Sequence, residues 1–283
     1  MAESSLKILD RQDTAIKFVS ATLPVYRKTD LAEAMFESQK MEFKRAITSI
    51  KDWEQISSEE IYRVFIGTVA TGLSWANEEK NFDVMPQNVK QADGSWVKAL
   101  DWKVSYRGET SLRIAQNQIV RIDGPHCIYE GDEILELDQP NNHIKLKQRT
   151  PRQPNAKVVG AYLFKVFSDG TKGLSYMETA DFDRLKEFSA RKNKDKGPNA
   201  LYTSHHGAID PGFAEAKVIK HAYRGLPKCK TLGGMKIPLA SETLEEEETH
   251  ETHFQEVHDS TPTTTESGPV TIVKEPDTNE FNF

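Results

Sequence analysis

The sequence predicts an α+β protein in which N-terminal and C-terminal helices lie against a central antiparallel sheet. Helical periodicity dominates residues 29–73, whereas residues 82–177 show two-residue alternation broken by short turn motifs. Helical patterns return from residue 179 onwards. Helices and strands that are separated along the chain in this way favour antiparallel pairing over a doubly wound parallel sheet.

The N-terminal third is predicted to contain a flexible arm followed by two helices. Residues 1–28 show no strong period and are expected to be loosely ordered. The first helix is expected to begin at Asp30, whose side chain can cap it. The second is expected at Ser57, because Glu60 three residues later completes a capping box, and Gly72 marks its end region.

Strands are predicted in the middle of the chain. The expected strands are Trp102–Tyr106, Arg121–Tyr129, Glu133–Leu137, His143–Lys147 and Val158–Phe167. Turn residues at 139–142 and 168–171 predict two hairpins, and a short helix is expected over Glu109–Gln116. The segment Asn88–Leu100 is interpreted as a long loop.

The C-terminal third is predicted to be helical up to a disordered tail. Thr179–Arg191 repeats apolar residues on one side, and a last helix is expected from Asp210, because aspartate caps well and Pro211 suits the first turn. Beyond Pro238 the residues Glu, Thr, Ser and Pro predominate, which predicts disorder. The expected units are a flexible arm at 1–28, a folded body at 29–238 and an acidic tail at 239–283.

The net charge of -6 averages two unlike parts of the chain. Residues 241–283 carry 12 acidic side chains and a single basic one, Lys274, whereas residues 1–240 carry 36 basic and 31 acidic side chains. A mildly basic body with an acidic tail is typical of a polyanion binder that has a separate interaction segment. Many soluble enzymes have such tails as well.

Composition also restricts the class of protein. The hydrophobic fraction of 37% suffices for a globular body, and no apolar run approaches the ~20 residues of a membrane helix. Residues 1–17 lack the apolar region of a secretory signal. Cys127 and Cys229 are too few for a disulfide framework or a zinc site. We therefore expect a cytoplasmic protein without a membrane partner.

The last predicted helix contains the most informative group of cations. Lys217, Lys220 and Arg224 are spaced so that they share one helix face, with His221 beside them. Such a face can lay a row of positive charges along a phosphate backbone. An ordinary solvated helix face is an equally good interpretation of the spacing alone.

A second group surrounds the predicted strand-to-helix turn at Gly108. Cations beside an aromatic ring suit single-stranded nucleic acid, because exposed bases need flat stacking partners and the backbone needs countercharge. Tyr106 can instead be a core aromatic residue. The candidate DNA-binding residues here and in the lysine-rich loop after residue 190 are Lys103, Tyr106, Arg107, Arg113, Arg121, Arg191, Lys192 and Lys194.

Enzymatic interpretations find less support. Glu130, Asp132 and Glu133 form a carboxylate group of the kind that holds magnesium in nucleases, but Glu133 and Glu136 are expected on opposite faces of a strand. No lysine completes a nuclease pattern, and the chain has no phosphate-binding loop of the ATPase type. A protein without a catalytic site, without a bound metal and without ATP is therefore expected.

Short motifs spread over roughly residues 57–228 occur in the order and spacing of a known family. The matching segments are Ala70–Ser74, Val84–Pro86, Tyr106–Gly108, Ile128–Glu133, Val159–Tyr162 and Val218–Pro227. Together they resemble the RecT family of phage single-strand DNA annealing recombinases, and more distantly the Redβ-like proteins. The chain departs from the family pattern at Ser105, where glycine is usual, at Glu109, where an apolar residue is usual, and at Ala216, where lysine is usual.

The resemblance implies that the chain binds single-stranded DNA and anneals complementary strands during recombination and DNA repair, with helices and sheet lining a DNA groove. It implies no required cofactor and no ATP, with Mg²⁺ at most as an aid to DNA pairing. The implied partners are single-stranded DNA, the annealed duplex, further copies in a ring or helical filament, a phage exonuclease, and a host single-strand binding protein at the C-terminal region. The implied setting is a bacterial cytoplasm, with the protein encoded by a phage or prophage.

Two alternatives to a DNA-annealing protein stay open at this point, namely a metal-dependent nuclease using Glu130, Asp132 and Glu133, and a phage structural or scaffold protein. A separate hypothesis concerns the tail, whose ending Asn279–Phe283 is acidic and aromatic like the tip of bacterial single-strand binding proteins. The tail could compete for the same partner pockets or shield the DNA groove, or it could simply improve solubility.

Overall fold

The computed structural model describes residues 5–193, 196–231, 234 and 236–242, and within them the α+β class is confirmed. The helices are α1 (Gln12–Tyr26), α2 (Thr29–Thr48), α3 (Ser58–Val69), α4 (Tyr106–Ala115), α5 (Thr179–Asn193) and α6 (Pro211–Tyr223). The strands are β1 (Phe82–Lys90), β2 (Trp96–Val104), β3 (Arg121–Tyr129), β4 (Glu133–Asp138), β5 (His143–Lys147), β6 (Val158–Val166) and β7 (Lys172–Glu178). No helix in this part of the chain is both long and apolar enough to cross a membrane.

The strand pairs among the described residues are antiparallel, as predicted, but they form three sheets instead of one. The largest has the order β3-β6-β7, and β1-β2 and β4-β5 are separate hairpins. The predicted turns at 139–142 and 168–171 are confirmed. The expected loop Asn88–Leu100 was wrong, because these residues complete the two arms and the turn of the β1-β2 hairpin.

The N-terminal half has its own core, to which the expected flexible arm contributes. A short 3-10 helix at Lys7–Asp10 precedes α1, and both Leu9 and Phe18 are fully buried. Phe18 stacks on Phe65 of α3 with ring centroids 5.9 Å apart. The sequence did not predict this helix, because α1 buries the polar residues Thr14 and Thr22 beside Phe18. Its buried face therefore lacks the continuous apolar pattern of an amphipathic helix.

The three-stranded sheet supports the second core. Ala161 and Leu163 of β6 are fully buried in one cluster with Val218 and Ala222 of α6. Lys165, two residues further on the same face of β6, donates from Nζ to the carbonyl of Ala222 at 2.8 Å. A cation thus satisfies the carbonyl end of α6, where the helix dipole favours positive charge.

A third cluster joins β2 and α4 to the end of the described chain. We call residues 236–242 the C-terminal strap. In it, Ile237 and Leu239 are buried against Val104, whose amide donates to the carbonyl of Pro238 at 2.8 Å. The predicted tail boundary at residue 239 was therefore wrong, since residues 239–241 belong to the folded body. Residues 243–283 of the predicted disordered tail lie outside the described residues.

Candidate nucleic-acid interface

The N-terminus of α4 is shaped by Ser105 and Gly108. The Ser105 hydroxyl accepts hydrogen bonds from the backbone N–H groups of Arg107 and Gly108 and donates to the carbonyl of Lys80. A Cβ at Gly108 would collide with the backbone oxygen of Asn81. Ser105 therefore replaces the expected glycine with a helix cap, and Gly108 allows α4 to lie directly on the chain before β1.

Tyr106, which is partly exposed, and Arg107, which is exposed, form an aromatic and cationic pair at this helix end. Arg107 Nε donates to the Tyr106 hydroxyl at 3.2 Å, and its guanidinium lies 5.7 Å from the ring centroid. Arg107 is exposed and has no carboxylate partner within ion-pair distance among the described residues. Tyr106 packs one side against the second core and keeps part of its surface accessible. Lys103, on β2 just before α4, is partly exposed.

Arg113 does not belong to this surface, contrary to the expectation. Its side chain is 1% exposed and forms an ion pair at 2.6 Å with Glu109, which is fully buried. The same guanidinium donates to Gln118 Oε1 and to the carbonyl of Pro227. Glu109 also accepts hydrogen bonds from the amide and hydroxyl of Ser241. The acid that departs from the family pattern is therefore the centre of a buried polar network.

The α6 residues that were expected to share one open face are divided by burial. Lys217 is 7% exposed, and its ammonium lies 5.5 Å and 5.1 Å from the ring centroids of Tyr202 and Phe213. Lys220 is partly exposed, whereas Arg224 is exposed at the end of the helix. The face assignment was wrong for Lys217 because the residues around Tyr202 cover that side of α6.

His221 is largely buried beside the charged groups of the sheet and of α5. Burial lowers the pKa of His221, and Arg224, Lys165 and Arg184 act in the same direction, whereas Asp181 opposes them. Its Nδ1 atom has no hydrogen-bond partner among the residues that the structure describes. The lowered pKa disfavours the charged form of His221, so this residue offers a weaker countercharge to phosphate than Lys220 or Arg224 beside it.

The remaining predicted contacts lie elsewhere on the described surface. Arg121, at the start of β3, donates to Asp123, which also pairs with Lys172. Arg191 and Lys192 are exposed at the end of α5, with the Arg191 guanidinium 5.9 Å from the ring of Phe188. Lys194 lies outside the described residues.

The carboxylates proposed for a nuclease have separate backbone and lysine partners. Asp132 accepts from the amides of Tyr129 and Arg149, and Glu133 lies 3.4 Å from Lys147. In the described part of the chain, no group of three or more His, Cys, Asp or Glu side chains is arranged to hold a metal ion.

A register shift in the β4-β5 hairpin changes which of its side chains share a face, compared with the arrangement expected from the sequence. Glu133 pairs with Lys147 and Glu136 with Lys145, so the bulge places both acids on one charged face. The expected opposite placement of the two acids was therefore wrong. The other face carries Ile134, Leu137, Ile144 and Leu146, each at least partly exposed.

Two cationic features were missed by the sequence reasoning. The guanidinium of Arg152 lies 3.8 Å from the ring centroid of Tyr129, and both residues are at least partly exposed. Lys228, Lys230 and Lys236 form what we call the lysine cluster, in which Lys230 and Lys236 are bridged and exposed. The alternation at 228–230 was visible in the sequence, but the approach of Lys236 requires the chain to fold back.

Comparison with known proteins adds no family to this geometry. The chain matches no protein-family model, and no curated protein matches it.

Proposed function

We propose that this protein binds single-stranded DNA and anneals complementary strands without nucleotide hydrolysis, in the manner of RecT-like recombinases. The observation that carries the proposal is the pairing of the partly exposed Tyr106 with the exposed Arg107 at the capped N-terminus of α4; Lys103 precedes the pair on β2. A flat ring that is backed by a guanidinium offers stacking to a base and countercharge to a phosphate at the same place.

The proposed mechanism is electrostatic. Two complementary strands repel each other through their phosphates, so a protein that neutralises both lowers the barrier to pairing. The bases must remain free to test Watson–Crick partners, which side chains contacting mainly phosphates and ring faces permit. Several copies on one strand would multiply weak contacts, so we include a homo-oligomer on DNA in the proposal.

The direct test is strand annealing in the absence of ATP. Two complementary fluorescent oligonucleotides are mixed with the protein, and the rate of duplex formation is measured at low salt and at physiological salt. We expect acceleration that falls steeply with salt, because phosphate contacts are lost as counterions compete. Failure to bind either oligonucleotide at low salt, with or without magnesium, would refute the proposal.

The matched variants are Arg107→Ala and Arg45→Ala. Both arginines are exposed on helices, but Arg45 lies on α2 and pairs with Glu42. Arg107→Ala should weaken oligonucleotide binding several-fold and reduce the salt slope by about 0.7, the contribution of one phosphate contact to a single strand. Arg45→Ala should leave both quantities unchanged. Magnesium-dependent shortening of the labelled strands would instead favour the nuclease alternative.

A further inference from the structure

A stretch of the chain without acidic residues begins after β4. Residues 139–168 contain no aspartate or glutamate but six lysines and arginines. The segment 148–157 joins β5 to β6, and we call it the basic loop. It carries Arg149, Arg152 and Lys157, all of them exposed. Within the part of the chain that the structure describes, no carboxylate lies within ion-pair distance of these three side chains.

The turn after β3 holds the basic loop in place. Asp132 accepts from the amide of Arg149 with one carboxylate oxygen and from the amide of Tyr129 with the other, both at 2.9 Å. The amide of Glu130 donates to the carbonyl of Lys157 at 2.9 Å, and its carboxylate accepts from the amide of the same lysine at 3.5 Å. The acids of this turn therefore bind backbone groups, and the loop is fixed near both of its ends beside Tyr129.

The guanidinium of Arg152 covers the ring of Tyr129. Its central carbon lies 3.8 Å from the ring centroid, which is the distance of direct stacking contact. Tyr129 itself packs against the second core, so its position is set by the fold. Arg152 donates no hydrogen bond to another described residue. A guanidinium that rests on a ring in this way keeps its N–H groups available for bidentate contact with a phosphate.

The pair formed by Tyr106 and Arg107 differs from this one in what it can bind. There the guanidinium carbon is 5.7 Å from the ring centroid, and Arg107 donates to the Tyr106 hydroxyl, so the ring is less covered. The Tyr106 pair can accept a stacked base together with a phosphate, whereas the Tyr129 pair can accept a phosphate alone. Both rings pack against the second core. One folded body thus carries two different contacts for nucleic acid.

We propose that the basic loop binds the backbone of the incoming second strand, while the Tyr106–Arg107 pair holds the first strand. The inference rests on the proposed function and assigns a site to its second strand. A strand whose bases are testing Watson–Crick partners cannot stack the same bases on a protein ring, so it needs contacts to phosphates. Arg149, Arg152 and Lys157 supply such contacts. Their positive charge also reduces the repulsion between the two backbones.

The site is tested by removing its two arginines from the full-length protein. Arg149→Ala with Arg152→Ala is compared with Arg45→Ala with Lys51→Ala, which removes the same charge from exposed positions on α2 and in the turn after it. Each protein is saturated with an unlabelled oligonucleotide, and the annealing rate of a limiting fluorescent complementary strand is measured at several salt concentrations.

The loop variant should anneal about fivefold more slowly than wild type, and the salt slope of its rate should be smaller by about 1.4, the contribution of two phosphate contacts. Its affinity for the first strand should change by less than about twofold, because that strand is held at α4. The control variant should match wild type in both quantities.

Two further variants separate the stacked geometry from the charge. Arg152→Lys keeps the charge but loses the flat, forked group, and Tyr129→Leu removes the ring beneath Arg152. Each should slow annealing by about two- to threefold and leave first-strand affinity unchanged. Tyr106→Leu should instead weaken first-strand binding.

Three results decide the matter. Equal annealing rates in the loop variant and the control would overturn the inference. A loss of first-strand affinity as large as the loss of annealing rate would also overturn it, because the loop would then belong to the first-strand site. If the double variant does not fold, both comparisons are made with Arg152→Lys. Failure of the wild type to bind any oligonucleotide would refute the proposed function itself.

Discussion

Replacing Arg113 with methionine should destabilise the protein by about 3–5 kcal/mol, because it leaves the Glu109 carboxylate buried without its cation. Both side chains are almost fully enclosed, with exposed fractions of 1% and 0%. The guanidinium also satisfies the carbonyl of Pro227 and the amide oxygen of Gln118, so the loss exceeds that of a single hydrogen bond. Changing an exposed residue such as Arg107 to alanine should lower the free energy of unfolding by less than about 0.5 kcal/mol.

Urea unfolding followed by circular dichroism measures these free energies. Arg113→Lys keeps the charge but loses the forked geometry, and we expect an intermediate loss. The double variant Glu109→Leu with Arg113→Met removes both charges, so it should lose less stability than the sum of the single changes, with a coupling of about 2 kcal/mol. This cycle separates the ion pair from the loss of packing.

The buried role of Arg113 would be refuted by one pattern of results. Suppose that the free energy of unfolding of Arg113→Met lay within about 1 kcal/mol of the wild-type value and that this variant nevertheless bound oligonucleotides more weakly. The Arg113 side chain would then have to be accessible to DNA. Arg113→Lys covers the case in which the methionine variant does not fold. Its oligonucleotide affinity, measured where the protein is fully folded, should equal that of wild type.

Further changes test the fold and its pH dependence. Gly108→Ala should cost more than about 2 kcal/mol in urea unfolding, since its Cβ would meet the backbone oxygen of Asn81, whereas Gly225→Ala has open space and should be nearly neutral. The pKa of His221 is lowered by burial, so its folded state favours the neutral form, and the associated stability is lost as the pH falls below the ordinary histidine value of ~6.5. The melting temperature should therefore fall between pH 7.5 and pH 5.5, and His221→Leu should make that fall smaller; an identical fall in both proteins would contradict this. Tyr106→Leu keeps the apolar contact with the core but removes the flat ring, so it should weaken oligonucleotide binding by about 1–3 kcal/mol without lowering the melting temperature.

Local signals in the sequence located most elements correctly. Ser57 and Asp210 accept hydrogen bonds from the third residue after each of them, so these two predicted helix caps are confirmed. The predicted cap at Asp30 was wrong, because α2 begins at Thr29 and no side chain caps it. Glu60, however, does not return to Ser57 as a capping box requires. It pairs with Arg63 and accepts from the amide of Leu100, and so connects α3 to β2. Glu60 therefore contributes to the tertiary contact between α3 and β2 and not to the cap of its own helix.

The candidate binding surface was predictable only in part. The sequence predicted Tyr106 and Arg107 next to a strand-to-helix turn, but it placed Tyr106 in the strand and the helix start at Glu109, whereas the structure begins α4 at Tyr106 with Ser105 as its cap. The burial of Arg113 and Lys217 could not be predicted from the sequence. It depends on Glu109, Tyr202 and other residues that are close in space but distant along the chain. Helical spacing defines which side chains share a face, but it does not define which face is covered.

The sequence by itself determined the α+β class, the helix caps at Ser57 and Asp210, the two hairpin turns and the separation of a basic body from an acidic segment, because each depends on neighbouring residues or on composition. Tertiary structure decided which cations are accessible and where the acidic segment is attached. Ser241 meets Glu109 across 132 positions of sequence, and only the folded chain brings them within 2.6 Å. Burial and long-range pairing depend on how distant segments pack together, so local sequence patterns do not predict them.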